Sequence, residues 1–299
     1  MKDNHCLFKT ASEWAKEHFG KRIQKIPIDA GFSCPNRDGK LSFDGCLYCN
    51  NKAFSPFYTN NKKSITTQLE EGINFFSKRY NCNDFFAYFQ SYSGTYSSID
   101  ILEKKYREAL TIPNIIGLII ATRPDCINES IVDLLLDLKK ETYVRIEIGV
   151  ESFDDNVLKS INRCHTVKTA LNAIAMLREA QLDTSVHLIF GLPNEPLDVA
   201  RVYSQMLSDT GANFVKLHHL QIVEGSRLAE LYKKDNDYIK LHSLESYLET
   251  LSEFISNLKT DIIFERFINR VPKDLLIAPK FGNINENQFL QMLLNKIQN

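Results

Sequence analysis

Residues 143–152 read YVRIEIGVES, and the alternation inside this stretch decides the fold. A strand points successive side chains to opposite faces. Arg145, Glu147, Gly149 and Glu151 therefore share one face, and Val144, Ile146, Ile148 and Val150 share the other. A central strand of an open doubly wound sheet is buried on both faces and reads as a near-continuous apolar run. This strand is strongly polar on one side. The same split recurs later, where His187 and Gly191 oppose Val186, Leu188 and Phe190, and where Lys216 and His218 oppose Val215 and Leu217. Polar faces on successive central strands predict a lined interior with helices packed on the apolar side. In such a barrel or partial barrel the site lies at the carboxyl ends of the strands.

Working outward, strand-like runs occur six times: IQKIPID (23–29), DFFAYFQ (84–90), IIGLIIA (115–121), YVRIEIGV (143–150), SVHLIF (185–190) and NFVKLHHL (213–220). Helical patterns separate the later ones, in ESIVDLLLDLKKE, TVKTALNAIAMLREAQ and LDVARVYSQMLSDTG, with apolar residues every three or four positions. Strand, helix and strand at roughly 30 residues per unit imply right-handed parallel crossovers. No Pro- or Ser-rich linker interrupts them. The reading is one α/β domain over residues 23–265, flanked by a helical N-terminal extension (1–22) and a C-terminal extension (266–299). The latter ends in the amphipathic run ENQFLQMLLNKIQ.

A chain of 299 residues with 43% hydrophobic and 24% charged residues can bury a substantial core and is not disordered. A formal net charge of −1 excludes a globally basic nucleic-acid binder, although a local patch remains compatible with RNA. The first 20 residues lack a signal-peptide core and no window approaches a membrane span, so a cytoplasmic protein is expected. Seven cysteines, an odd number, do not form a disulfide framework and suit a reducing compartment.

Three of those thiols stand in the loop after the first strand, GFSCPNRDGKLSFDGCLYCN, as Cys34, Cys46 and Cys49. A closed zinc site needs four ligands, and this loop offers three. An iron–sulfur cluster held by three thiolates leaves one iron open for a small molecule. A zinc-stabilised RNA-binding module would need a distant histidine as its fourth ligand. A redox use of Cys46 and Cys49 would leave Cys34 without a task.

A strand, a three-cysteine loop closing in Cys-Leu-Tyr-Cys and five further βα units resemble the radical S-adenosylmethionine superfamily. ATRPDCI (121–127), IEIGVESFDDNVLKSINRCH (146–165) and HLIFGLP (187–193) resemble its branch containing the Elongator catalytic subunit and coproporphyrinogen dehydrogenase. FQSYSGTY and KLHHLQIVEGSRLAELY look most like the YtqA/YhcC-like subgroup. The resemblance implies a partial TIM barrel, a (β/α)6 core, carrying a 4Fe-4S cluster on Cys34, Cys46 and Cys49. It further implies S-adenosylmethionine on the open iron, cleaved to a 5′-deoxyadenosyl radical that abstracts substrate hydrogen. Tyr48 would lie near the adenine, and Glu151 and Arg163 would contact ribose and carboxylate. His187 and Gly191 fall on the fifth-strand motif, and Gln90 and Thr95 on a thinned second-strand motif.

The bland readings differ residue by residue. Arg163 would cap a helix or pair with Asp154 or Asp155, and Lys216 would form a buried ion pair with Glu147. His218 shares the inward face of Lys216, where a substrate or cofactor contact is expected. Cys126 and Cys164 are candidate hydrogen-atom donors or simply packed thiols, and Cys6 and Cys82 have no ligand spacing. One departure stands out: much of the branch has Glu-Thr-Arg-Pro-Asp where this chain has Ala121-Thr122-Arg123-Pro124-Asp125, so a carboxylate for the cofactor's amino group is missing. FERFINRVPKDLLIAPKFG resembles the end of the Elongator radical domain, with Arg266, Arg270 and Pro272 in comparable places; these arginines and Lys273, with Lys280 nearby, would contact RNA phosphates or form a solvated face. The implied substrate is a tRNA wobble uridine, whose carboxymethylaminomethyl group YtqA-like members would trim to aminomethyl. A flavodoxin or ferredoxin would supply the electron. A small metabolite or porphyrin-like substrate is the alternative.

Overall fold

The computed structural model describes residues 8–259, 261–269, 271–282 and 284–298. Its strands are β1 (Lys9–Thr10), β2 (Gln24–Ile28), β3 (Phe85–Phe89), β4 (Ile115–Thr122), β5 (Tyr143–Glu151), β6 (Asp183–Phe190), β7 (Phe214–His219), β8 (Ile222–Val223), β9 (Ile263–Arg266) and β10 (Leu276–Ala278). Eight of them form one sheet in the order β1-β9-β7-β6-β5-β4-β3-β2. Every neighbouring pair in it is parallel, and the sheet curls into a partial TIM barrel. All six expected strands are present as β2 to β7. The N-terminal extension is more than helical: β1 pairs with β9, and Phe8 packs on Phe264 and Phe267 at ring separations of 5.2 and 5.1 Å. Two-residue β1 and four-residue β9 carry too short an alternation to be read from sequence.

The outward strand faces supply the core. Ile26, Ala87, Leu118, Ile120, Ile146, Ile148, Val186, Leu188, Val215 and Leu217 belong to one cluster with the covering helices. These include Ile65–Tyr80, Ile99–Leu110, Glu129–Lys139, Val167–Glu179 and Val199–Thr210. Several start on a side-chain cap: Ser64 accepts from Thr67 N, Asn128 from Ile131 N and Thr166 from Thr169 N, each satisfying a backbone N–H that the helix itself cannot. Among the described residues no helix is long and apolar enough to cross a membrane.

The amino end of the barrel is closed by the helix Ala11–Phe19. Its Thr10–Glu13 capping box sets the entry, and Gly20 ends it in the left-handed region at φ 72°. Trp14 meets Phe214 edge-on at 4.9 Å, and Phe19 meets Tyr143 and Phe86 at 5.6 Å. Arg145 lies over the Phe214 ring at 4.2 Å, a cation held on an aromatic face in a dry setting. With this end plugged, the interior opens only toward the carboxyl ends of the strands.

Candidate active site

The cysteine loop leaves β2 at that open end. Gln68 pins its start, donating Nε2–H to Asp29 O and accepting from Asp29 N, both at 2.9 Å. Inside the loop Cys34 O accepts from Arg37 N and Asp38 N, Gly45 N donates to Asn36 O, and Cys49 N donates to Cys46 O. The segment after β5 clamps it from outside. Asn36 Nδ2 donates to Asn162 O at 2.6 Å, and Asn162 Nδ2 donates to Gly45 O at 2.8 Å. Leu47 packs with Val157, Ile161, Leu192 and Leu228. The loop is thus held by side chains 110 or more positions away, which is how an irregular segment becomes a rigid platform.

Cys34, Cys46 and Cys49 line one cavity together with Tyr48, Gln90, Ala121, Arg123, Glu151, Arg163 and His187. Arg163 braces it: Nη2 donates to Gly149 O at 2.6 Å and lies 3.1 Å from Glu151 Oε1, Nη1 donates to Cys46 Sγ at 3.4 Å, and Nε donates to His165 Nε2 at 3.1 Å. Arg123, only 2% exposed, is paired with Asp125 and donates to Arg163 O at 2.8 Å, yet its Nη1 has no partner. Burial pushes Cys34 upward and Cys49 up to about 11, with the neighbouring thiols adding repulsion and the arginines opposing it. Burial also drives His165 down to about 3, so the Arg163–His165 contact is between a cation and a neutral ring.

This donor set fits an anionic iron–sulfur cluster. Three soft thiols face one space, Asn36 Nδ2 and Arg163 Nη1 both donate to Cys46 Sγ, and an orphaned buried guanidinium N–H remains for negative charge. Among the described residues no three His, Cys, Asp or Glu side chains converge on a single-ion site.

The radical SAM superfamily pattern matches residues 34–205, more than half of the chain. The chain belongs to the radical SAM superfamily. Members of the family are enzymes that use a 4Fe-4S cluster and S-adenosylmethionine. The radical SAM C-terminal domain pattern matches residues 212–298. YhcC of Escherichia coli K12 is 32% identical over 87% of this chain and 83% of its own length. The uncharacterized YtqA of Bacillus subtilis is 27% identical over 98% of this chain and 90% of its own. A tRNA uridine(34) acetyltransferase of Methanocaldococcus infernus is 26% identical over 57% of this chain and 32% of its own. Among solved structures, Elp3 of Methanocaldococcus infernus superposes with a TM-score of 0.69 at 18% identity, over 92% of this chain. The present chain spans 62% of that one, and the likeness is one of fold.

Within this radical SAM barrel the expected cofactor residues separate into two groups. Tyr48, Gln90, Glu151, Arg163 and His187 line the cavity; Thr95 and Gly191 do not. Thr95 Oγ1 is buried in contact with Thr122 Oγ1 (2.6 Å) and Cys126 O (2.7 Å), so it ties the ends of β3 and β4 together. Gly191, at φ +87°, faces His242, whose Cδ2 would lie 2.9 Å from a Cβ there. The left-handed φ and the nearby His242 ring both favour glycine there. Glu151 owes its position to a bulge and a left-handed φ of 70° at the end of β5, which turns its carboxylate toward Arg163.

Lys216 lines the cavity and also forms the buried ion pair: its Nζ lies 3.0 Å from Glu147 Oε2 and donates to Tyr88 Oη at 2.8 Å. Glu147 also takes Lys25, Tyr88 (2.6 Å) and His187 (3.0 Å). Burial raises the Glu147 carboxyl, but Lys216 and Lys25 hold it well below the usual range. Burial pulls Lys216 down to about 8. His218 does line the cavity, kept neutral by burial and by Arg266. Arg163 neither caps a helix nor meets Asp154 or Asp155, which accept from Val157 N and Val167 N. Neither Cys126 nor Cys164 lines the cavity; the first is buried with its thiol pushed up to about 11, and the second is exposed. Cys6 and Arg270 lie outside the described residues. Sequence reasoning missed Asn36, Asn162 and Arg123. An asparagine inside a cysteine loop and another in INRCH were the available signals, since Asn tolerates the left-handed φ of 54° that Asn162 adopts.

Proposed function

We propose that this enzyme modifies a tRNA wobble uridine by radical chemistry, with Cys34, Cys46 and Cys49 as the cluster ligands. The observation that carries the chemistry is the opening of those three thiols, with Arg123 and Arg163 beside them, into one cavity at the carboxyl end of a parallel barrel. Bound there, the cluster and S-adenosylmethionine would supply the radical chemistry that abstracts a hydrogen atom from substrate. Arg123 and Arg163 balance the negative charge of the thiolates and of the methionyl carboxylate. Gln90, across from Ala121, accepts from the amino group where a carboxylate is missing. Glu151 takes a ribose hydroxyl, and Tyr48 flanks the adenine.

The substrate reading is supported by likeness to a protein named tRNA uridine(34) acetyltransferase, and the reaction proposed, from the resemblance to YtqA-like members, is the trimming of a carboxymethylaminomethyl group to aminomethyl. A cytoplasmic flavodoxin or ferredoxin would deliver the electron. The test is anaerobic incubation of reconstituted enzyme with S-adenosylmethionine, dithionite and tRNA from a strain lacking this protein, followed by nucleoside mass spectrometry and 5′-deoxyadenosine assay. The expected result is tRNA-dependent deoxyadenosine and one wobble nucleoside changed in mass. Deoxyadenosine formed at the same rate without tRNA, with no nucleoside altered, would remove tRNA as substrate.

A further inference from the structure

A second cavity, of about 300 Å³, lies between the end of β7 and the C-terminal extension. It shares His219, Gln221 and Asn269 with the cysteine cavity, so one extended molecule can occupy both. Two of the shared side chains are more than nine-tenths buried and carry an unpartnered polar atom: His219, 5% exposed, at Nδ1, and Gln221, 8% exposed, at Oε1. The other end of Gln221 is fixed, with Nε2 donating to Asn269 O at 3.3 Å, which leaves its carbonyl oxygen as a committed acceptor. A buried acceptor without a donor costs free energy unless a ligand supplies an N–H or O–H. The His219 ring is stacked on Phe281 at a centroid distance of 4.4 Å, and Phe289 also lines the space. Burial holds His219 near a pKa of 3, so it is neutral and offers one ring donor and one acceptor. Lys273, exposed, stands on the lining.

Aromatic walls, a buried acceptor, a neutral imidazole and an ammonium on the lining match a planar heteroaromatic ring with a polar edge and an attached phosphate. We infer that this cavity is a nucleobase subsite, which takes the base beside the nucleotide being modified and draws that nucleotide into the cysteine cavity. The inference rests on the tRNA reading above for its partner, but on the second cavity's own residues for its chemistry.

The test uses the full chain and an anticodon stem-loop RNA carrying 2-aminopurine next to the wobble uridine. Phe281→Ala removes one wall, and Ile284→Trp fills the space from a half-buried position, so a folding defect in the first is controlled by the second. The subsite predicts strong quenching of 2-aminopurine on binding to wild type. It also predicts about a tenfold weaker RNA affinity and lost quenching in both variants, while S-adenosylmethionine binding is unchanged. Equal RNA affinity and no quenching in all three proteins would overturn the subsite and leave the tRNA reading intact. If wild type binds no RNA, the four free nucleoside monophosphates are titrated instead. Binding of any that is lost in both variants upholds the subsite without tRNA, and no binding overturns it.

Discussion

At the middle of the barrel interior Glu147 accepts from Tyr88 and Lys216 and pairs with Lys25 and His187. At its carboxyl end Arg123 keeps a buried N–H with no partner, and three thiols open into the same space. Below Glu147, Lys25 also pairs with Glu265, and Arg145 Nε stands 3.7 Å from Glu265 Oε1. On the floor each charge has an opposite one within reach, with Arg145 Nε and Nη1 and Glu265 Oε1 left without a hydrogen bond. The mouth differs in what surrounds its unpartnered atoms: Arg123 Nη1, Asn36 Oδ1, His219 Nδ1 and Gln221 Oε1 belong to residues on or beside a cavity that three thiols also line. Where a fold leaves buried polar groups unpaired beside soft ligands, it has kept them for something that binds.

The sharpest way to break this contrast is to empty the mouth of sulfur. Cys46→Ala should abolish the broad iron–sulfur absorption after anaerobic reconstitution and reduce 5′-deoxyadenosine formation to background, whereas Cys164→Ser should retain both. Breaking the floor should act on stability instead. Glu147→Gln leaves Lys216 buried without its counter-charge and should cost about 3–5 kcal/mol in chemical denaturation.

A third probe uses pH. Burial raises Glu195, which accepts from Gly191 N at 2.7 Å, to about 7. Its folded-state pKa lies above the usual value of 4.5. Folding therefore favours the protonated form, and the stability it contributes is present in full below about 4.5 and lost as pH rises through about 7. Wild type should lose roughly 3 kcal/mol across that window from this group. Glu195→Gln should flatten the slope there and leave the protein more stable than wild type at pH 8; an unchanged slope would remove Glu195 as its source. The smallest effect is expected from Thr95→Val. It should lower stability by about 1–2 kcal/mol through lost contacts to Thr122 and Cys126, with S-adenosylmethionine affinity unchanged by equilibrium dialysis.

The barrel was legible because its signal is long and periodic. Nine residues of β5 alternate without a break, and the polar parity of Glu147 and Glu151 pointed inward as observed. The cysteines were legible because their spacing is local. What escaped depends on contacts between distant segments. Nothing in the run around Thr95 announces that Thr122 and Cys126 O will take its hydroxyl, and nothing around Lys216 says that Tyr88, on a strand four positions away in the sheet, will meet it across the interior. Asn36 and Asn162 clamp the loop over a separation of 126 residues, a distance no pattern within one motif encodes.

The account rests on a cluster with one open iron at the mouth, and electron paramagnetic resonance of the dithionite-reduced, reconstituted protein reads that directly. A 4Fe-4S signal that shifts on addition of S-adenosylmethionine in wild type, and is absent in Cys46→Ala, is the predicted result. A protein that takes up zinc in place of iron, or a cluster whose spectrum ignores S-adenosylmethionine, would contradict it.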